Sequence, residues 1–447
     1  MSKTRVVSFL AALIFALPAG AVPFEEARHL LARTGFGIAR AAEVAALQQL
    51  DYEAAVDRVL GGVRTQPATS PPPWIDELPP TSKEMKAMTA AQRVEFNKAT
   101  RTRWQPLKQW WAGEMLATPS PLTEHLVVFW HNHFVSEVKK VKWAGYMYGQ
   151  NALFRHHALG NFATLLRGMA KGPAMLIYLD GRTNRKGRPN ENFAREIMEL
   201  FTLGEGRGYS EDDIVEAARA FTGWSINPAK GTFVFDPKRH DDGTKSFLGR
   251  QGRFSGDDVI DILLEEPRVA EFITEKLWRE FVSAEPEPGQ VSRLAAAFRN
   301  SGYELRPLMK GLLTTPQFRA ADNPGTMIKS PVDLVVGTLR VLGNPGLEPR
   351  NVTSFQRRLG QDLFQPPNVK GWPGGEAWVT TNTLPLRHQF LNRVARGGTM
   401  NVAMPDGGDE DLMELPLAVA PVTPPEETAR SRQRLALLLL DPSFQLK

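Results

Sequence analysis

The chain has 447 residues, with 42% hydrophobic and 23% charged residues, a composition typical of a folded protein. It contains no cysteine, which excludes disulfides, thiolate catalysis and cysteine-ligated zinc. The formal net charge of +5 is mild and falls to about +3 without Lys3 and Arg5. Basic residues cluster at 182–188 but lack interleaved aromatics, so no nucleic-acid binding is expected.

Residues 1–21 are predicted to be a cleavable secretory signal peptide. Lys3 and Arg5 form a short basic region, residues 6–18 are apolar, and Ala19-Gly20-Ala21 fits a cleavage site of small residues. The alternative is an uncleaved membrane anchor, although this apolar run is short of the ~20 residues that a span needs. The mature protein is therefore expected to be periplasmic or secreted, with no membrane span after signal cleavage.

Residues 22–447 are predicted to form a single large domain that is mainly helical. Apolar residues recur at helical spacing in most segments, and residues 122–135 are apolar nearly all round, which indicates a central buried helix. The predicted helices cover residues 24–33, 41–50, 52–60, 82–117 (one helix, or two broken at Pro106), 122–135, 150–169, 257–264, 269–281, 291–300, 306–313, 328–342 and 426–440. Two more are expected, one that Asn190 caps and one that begins with a capping box at Ser210.

Three segments interrupt the helical pattern. Residues 61–80 are rich in proline and glycine and are predicted to be a connector, and residues 397–423 are predicted to be irregular. Residues 232–235 and 246–248 flank a polar turn, which predicts a small β-hairpin insertion near 231–249. The expected fold class is therefore mainly α, with this hairpin inserted.

Two segments, 129–134 and 189–201, mix imidazole, amide, carboxylate and guanidinium groups with large apolar residues. Polar groups in such surroundings must find partners, so we expect something polar to be organised there. In the first segment, His131 and His133 are candidate metal ligands. They would point about 200° apart on a regular helix, so a shared metal requires the helix to end or distort there. The alternative is a pair of buried structural histidines.

The second segment carries the candidate catalytic residues Glu191, Arg195, Glu196 and Glu199. Their spacing places Glu196 and Glu199 on one polar side of a helix, where one carboxylate is available as a general base or metal ligand. Arg195 is a candidate for holding an anionic substrate group. The alternative is ordinary ion pairing between residues four apart on a helix surface.

His240 and Asp241, in the polar turn of the predicted hairpin, are further metal candidates. If this turn folds over the glutamate helix, imidazoles and carboxylates would converge on a site suited to a divalent metal. The alternative is a solvated turn. The loop 368–375 and Trp378 allow two interpretations, a sugar-binding aromatic surface or a tryptophan plug of the core, and we favour the plug.

Together these motifs resemble a bacterial family, the "domain of unknown function 1800" proteins. The resemblance covers almost the whole mature chain, and its segments occur in the order of the family. They are HLLARTGFG (29–37), FWHNHF (129–134), 150–151, 154–155, 159–162, 178–180, PNENFAREIMELFTLG (189–204), ARAFTGW (218–224), 240–241 and PNVKGWPGG (367–375).

The resemblance implies an exported protein and, as a partner, a sulfatase-like exported protein, but it supplies no catalytic residues. Two functions therefore stay open. The first is a helical scaffold or binding protein of the cell envelope, in which the polar residues form a buried network that fixes helix packing. The second is an extracytoplasmic hydrolase with a His/Glu/Asp centre and a divalent metal. We favour the scaffold, because no complete catalytic motif is present.

Overall fold

The computed structural model describes residues 20–342, 348–396, 417–426 and 431–447. Within these ranges the regular structure is almost entirely helical, which confirms the predicted fold class. No helix in the described ranges combines the length and the apolar character needed to cross a membrane. Residues 1–19 of the predicted signal peptide and 397–416 of the predicted irregular segment lie outside the described residues, whereas residues 417–423 contain no helix or strand.

The first half of the chain is a series of short and medium helices. They are α1 (Phe24–Thr34), α2 (Ala41–Leu47), α3 (Tyr52–Gly61), α4 (Ser82–Ala87), α5 (Ala90–Thr102), α6 (Trp104–Ala117), α7 (Pro121–His133), α8 (Val138–Val141), α9 (Ala144–His156), α10 (Phe162–Ala170) and α11 (Pro173–Tyr178). The helix predicted over 82–117 is thus three helices, and the last break falls at Arg103 rather than at Pro106. Pro106 lies in the first turn of α6, where its missing N–H removes no helical hydrogen bond.

The second half continues with helices, two of which contain a wide π-helical turn. They are α12 (Glu191–Glu196), continued by the π turn Ile197–Thr202, α13 (Glu211–Ala220), α14 (Gly256–Glu265), α15 (Pro267–Phe281), α16 (Pro288–Asn300), α17 (Leu305–Leu313), the π turn Asp333–Gly337 continued by α18 (Thr338–Val341), α19 (Pro349–Arg358), α20 (Thr383–Ala395) and α21 (Ser431–Leu440). Ser210 begins α13 with the predicted capping box.

Strands in the described chain form two antiparallel hairpins, β1 (Trp224–Asn227) with β2 (Thr232–Phe235) and β3 (Lys245–Phe247) with β4 (Arg250–Gly252). The pairing of 232–235 with 246–248 expected from the sequence does not occur, because each segment pairs with a nearer neighbour. Leu248 and Gly249, which connect β3 to β4, both have positive φ (45° and 75°). That geometry matches a two-residue hairpin turn and makes the local pairing favourable.

Helix α7 lies at the centre of the molecule, as its apolar sequence predicted, and contacts α1, α6 and α9. Its one buried carboxylate, Glu124, accepts two bonds from the Arg155 guanidinium of α9, at 2.6 and 2.8 Å. The indole Nε1–H of Trp111 in α6 donates to the same carboxylate at 2.9 Å. A charged pair therefore joins three helices inside a hydrophobic core that extends from Val22 to Phe444.

The segment 442–447 packs into the core instead of lying on the surface. Its backbone pairs with residues 327–329: Lys329 N–H donates to the Gln445 carbonyl at 2.8 Å, and Lys447 N–H donates to the Met327 carbonyl at 2.7 Å. The Lys447 ammonium contacts the buried Asp333 carboxylate at 2.8 Å. Burial lowers the pKa of Lys329 to about 7. These contacts tie the last residues to the helix that begins at residue 331.

Candidate functional site

The candidate site is built on α12 and the π turn that follows it. Asn190 caps α12 as predicted, because its side-chain oxygen accepts from the Asn192 N–H at 3.0 Å. Phe193, Ile197 and Phe201 point into the core. After Glu196 the backbone widens into the π turn, a distortion that is frequent at functional sites. The opposite side of this segment presents the carboxylates to a partly exposed surface.

Arg195 is surrounded by three carboxylates. Its guanidinium contacts Glu191 at 3.3 Å and Glu199 at 3.2 Å, the predicted pairs four residues apart, and Glu211 of α13 at 2.8 Å. These bonds, led by the one to Glu211, raise the pKa of Arg195 above its ordinary value. The three carboxylates therefore hold the guanidinium in place.

Glu196 differs from the other three candidate residues on this helix. It is partly exposed, and it has no hydrogen-bond or ion-pair partner among the residues that the structure describes. Burial, and then the nearby Glu199 charge, raise the pKa of Glu196 to about 7, against the opposing charges of Arg195 and Lys370. A carboxyl group that exchanges its proton near neutral pH is suited to general acid or base chemistry.

The loop 368–375 meets the glutamate segment and the His131–His133 segment. Lys370 contacts Glu205 at 2.9 Å, just beyond the π turn. The Asn132 side-chain oxygen accepts from the Trp372 N–H at 2.6 Å. Gly371 has a φ of +88°, and a Cβ there would lie 2.2 Å from that oxygen. Glycine is required at this position.

The tryptophans of this loop are buried, Trp372 at 4% exposure and Trp378 at 7%, which confirms the interpretation of the loop as a core plug. Asn132, the middle residue of the His-Asn-His segment, therefore anchors the loop that plugs the core. Lys370 of the same loop lies beside the glutamates.

His131 is enclosed by aromatic rings. Its ring centre lies 5.5 to 5.6 Å from those of Trp111, Phe364 and Trp372. Its Nε2 atom has no hydrogen-bond partner among the described residues. Burial lowers the pKa of His131 to about 3, so the ring is neutral at physiological pH.

His133 is buried in a different environment and has two partners. Its Nε2–H donates to the Phe201 carbonyl in the π turn at 3.2 Å, and its Nδ1 accepts from the Lys276 ammonium at 3.1 Å. Burial, and then the Lys276 charge, keep the pKa of His133 well below its ordinary value. One neutral tautomer satisfies both bonds, so His133 connects α7, the π turn and α15.

His240 and Asp241 connect the polar turn to the end of α13. Asp241 accepts from the Arg219 Nε at 2.8 Å, and that bond is the main reason that the pKa of Asp241 falls to about 2. The Asp241 N–H donates to the Thr222 hydroxyl at 2.7 Å, and the His240 Nδ1–H donates to the Thr222 carbonyl at 2.9 Å. Both residues of this pair are thus bonded to the 218–224 motif.

The four predicted metal candidates therefore lie in three different environments: His131 is enclosed by aromatic rings, His133 is bonded to Phe201 and Lys276, and His240 and Asp241 are bonded to residues 218–224. No group of three or more histidine, aspartate or glutamate side chains in the described ranges is arranged to hold a metal ion. The convergence of these residues on one site, which the sequence suggested, is not found. Glu191, Arg195, Glu196 and Glu199 do lie together.

A second polar cluster, which sequence patterns did not indicate, surrounds a cavity of about 110 Å³ beside α7. The His125 ring contacts the Gly35 carbonyl through Nδ1 and the Glu280 carboxylate through Nε2, both at 2.6 Å. Glu280 also lies 3.9 Å from the Lys447 ammonium, which contacts Asp333. Basic and acidic side chains therefore alternate along this cluster.

A family model described as "Protein of unknown function (DUF1800)" matches residues 29–446. The chain belongs to this family. The match includes the glutamate segment, the Asn132 anchor and the loop 368–375, which together form the DUF1800 site described above. No curated protein and no solved structure matches the chain.

Proposed function

We propose that this DUF1800 protein is an exported scaffold or binding protein of the bacterial cell envelope. Its motifs hold helices α7 and α13 against the loop and the turn that pack on them. The observation that carries the proposal is that the motifs bond to one another: Asn132 to the Trp372 backbone, and Arg219 to Asp241. Polar side chains that are hydrogen-bonded within the protein in this way make a fold rigid and specify one packing of its helices.

The substitution Gly371→Ala tests this structural role. We expect it to lower the free energy of unfolding by about 2–4 kcal/mol, because the added Cβ collides with Asn132 and alanine disfavours a positive φ. Gly374→Ala is the matched control, since its Cβ would meet no atom of the described residues within 4 Å. Urea unfolding followed by circular dichroism measures both. Equal stability of the two variants would contradict a structural role for the loop.

Export and partnership are supported by the N-terminal sequence and by the family resemblance. Lys3, Arg5 and the apolar run before Ala19-Gly20-Ala21 favour secretion and cleavage. Mass spectrometry of the protein from a periplasmic fraction checks this, and an intact Met1 would contradict it. A sulfatase-like exported protein is the proposed partner, and its absence from a crosslinked pull-down of the secreted protein would argue against it.

A hydrolase is the second candidate, favoured by one observation: Glu196 is unpaired within the described chain, and its pKa is raised to about 7. In this function Glu196 deprotonates a water molecule, Glu199 keeps the pKa of Glu196 high, and Arg195 positions Glu199. Glu191 in turn holds Arg195. General-base catalysis of this kind contributes about 10²–10⁴-fold to a rate.

The test follows turnover of p-nitrophenyl acetate and p-nitrophenyl phosphate as a function of pH. We expect kcat/KM to rise through pH 7 and Glu196→Gln to lose about 10²–10⁴-fold. Glu199→Gln should move the midpoint to lower pH, because it removes a negative neighbour, whereas Lys370→Gln should move it to higher pH. No turnover of either ester, or a Glu196→Gln variant of unchanged rate, would leave the scaffold as the sole proposal.

A further inference from the structure

Four arginines line one open basin beside the N-terminal end of α12. The basin has a volume of about 860 Å³. Its lining residues are Arg182, Thr183, Arg185, Arg188, Pro189, Asn190, Glu191 and Arg239. Half of the lining residues are therefore cationic, and a single carboxylate faces them.

None of these four arginines forms an ion pair with a carboxylate in the described part of the chain. The one acidic lining residue, Glu191, is 3.3 Å from Arg195, which draws it toward the helix. Lys186, which lies between the arginines in sequence, is by contrast paired with Asp242 at 2.7 Å. The basin thus concentrates positive charge that the described residues do not neutralise.

The backbone beneath the arginines is fixed by hydrogen bonds. The Arg188 N–H donates to the Arg185 carbonyl at 2.9 Å, closing a tight turn in which Gly187 has a φ of +77°. The Lys186 N–H donates to the Arg239 carbonyl at 2.7 Å, and the Arg239 guanidinium donates to the Arg182 carbonyl at 2.8 Å. The two arginine-bearing segments are held together, so a ligand would not have to order them.

The chemistry of the lining defines the ligand. Guanidinium groups bind phosphate and sulfate oxygens through paired, charge-assisted hydrogen bonds. None of the described residues that line the basin is an aromatic residue on which bases could stack, which argues against single-stranded nucleic acid. None of these described lining residues has a large apolar side chain to enter a lipid bilayer. The basin volume of about 860 Å³ is far larger than the roughly 30 Å³ that one water molecule occupies. The basin therefore has room for a ligand much larger than a single phosphate.

We propose that this basin binds a soluble oligoanion that carries several phosphate or sulfate groups. Such a ligand would extend the binding role proposed above to a separate surface. A failed anion titration would leave the stability test of the Asn132 anchor unaffected, so the two proposals fail independently.

Isothermal titration of the full mature chain with tripolyphosphate and with a fully sulfated hexasaccharide tests the basin and distinguishes phosphate from sulfate. The variant Arg182→Ser/Arg185→Ser/Arg188→Ser should bind the preferred probe at least about tenfold more weakly, given the strength of charge-assisted hydrogen bonds. The control Arg64→Ser/Lys98→Ser/Arg101→Ser removes the same charge from exposed positions elsewhere. We expect the control to bind like the unsubstituted chain.

Three results would overturn the proposal. One is the absence of binding to both probes at low ionic strength. Another is an equal loss of affinity in both triple variants, which would indicate attraction by net charge alone. The third is binding to vesicles of anionic phospholipid without binding to either soluble probe. Circular dichroism of the two variants confirms that they are folded before titration.

Discussion

Glu124→Gln is expected to lower the free energy of unfolding by about 3–5 kcal/mol, the usual consequence of leaving one member of a buried ion pair without its partner. Glu124 and Arg155 are both fully buried, and the guanidinium binds the carboxylate through two nitrogens. Glutamine keeps the shape of the side chain and can still accept from Trp111 Nε1. The loss therefore reports the uncompensated Arg155 charge.

A double-mutant cycle isolates this pair. Arg155→Met should be similarly costly, because it leaves the Glu124 carboxylate buried, whereas Glu124→Gln/Arg155→Met should cost much less than the sum of the single variants. The control is Asp57→Asn at the exposed Lys310–Asp57 contact of 2.8 Å, expected to change stability by no more than about 1 kcal/mol. Additive effects at Glu124 and Arg155, measured by urea unfolding, would show that the two charges are not coupled.

The sequence predicted elements whose signals are local. The apolar run around α7, the Asn190 cap and the capping box at Ser210 each depend on a few adjacent residues, and all three are present. The hairpins show where local patterns fail. Residues 232–235 were predicted to pair with 246–248 but pair with 224–227, a choice that periodicity alone does not decide. The backbone of Leu248 and Gly249 decides the pairing of β3, and its positive φ angles are not visible in a hydrophobic pattern.

The polar sites show the same limit more strongly. The ion pairs of Arg195 with Glu191 and Glu199 follow from helical spacing, and the structure contains them. The cluster of His125, Glu280 and Lys447 brings together residues separated by more than 150 positions. Helical spacing does not predict a contact between residues so far apart in sequence. From the sequence, His131 and His133 were candidates for meeting carboxylates if the polar turn folded over the glutamate helix. His131 instead lies among aromatic rings, and His133 is bonded to the Phe201 carbonyl and the Lys276 ammonium, since α7 is buried in the core.

These buried histidines and the unpaired glutamate have opposite effects on stability. A buried neutral histidine resists protonation, so acid favours the unfolded chain. Glu196 has a raised pKa, so its negative charge destabilises the folded protein as pH increases from 4.5 through about 7. Protonation of Glu196 therefore partly compensates for the histidines as pH falls. The variant Glu196→Gln removes this compensation.

Lowering the pH from 7 to 5 is expected to destabilise Glu196→Gln by about 6 kcal/mol, about 2 kcal/mol for each of three buried histidines. His29 and His131 have pKa values lowered to about 3, and the pKa of His133 is also well below 6.5. At pH values between these folded-state pKa values and 6.5, the ordinary pKa of histidine, the unfolded chain binds protons that the folded chain does not. Stability therefore rises with pH across this window and is fully present above it.

His131→Phe in the Glu196→Gln background should reduce this pH dependence by about one third, because one of three titrating rings is removed. At pH 7 it should not destabilise, since phenylalanine keeps the aromatic contacts and replaces the unbonded Nε2 atom. His156→Gln is the control, because His156 is exposed at the end of α9. Urea unfolding at pH 5, 6 and 7 measures all three proteins. A pH dependence that His131→Phe leaves unchanged would show that His131 takes up protons equally in the folded and unfolded chains.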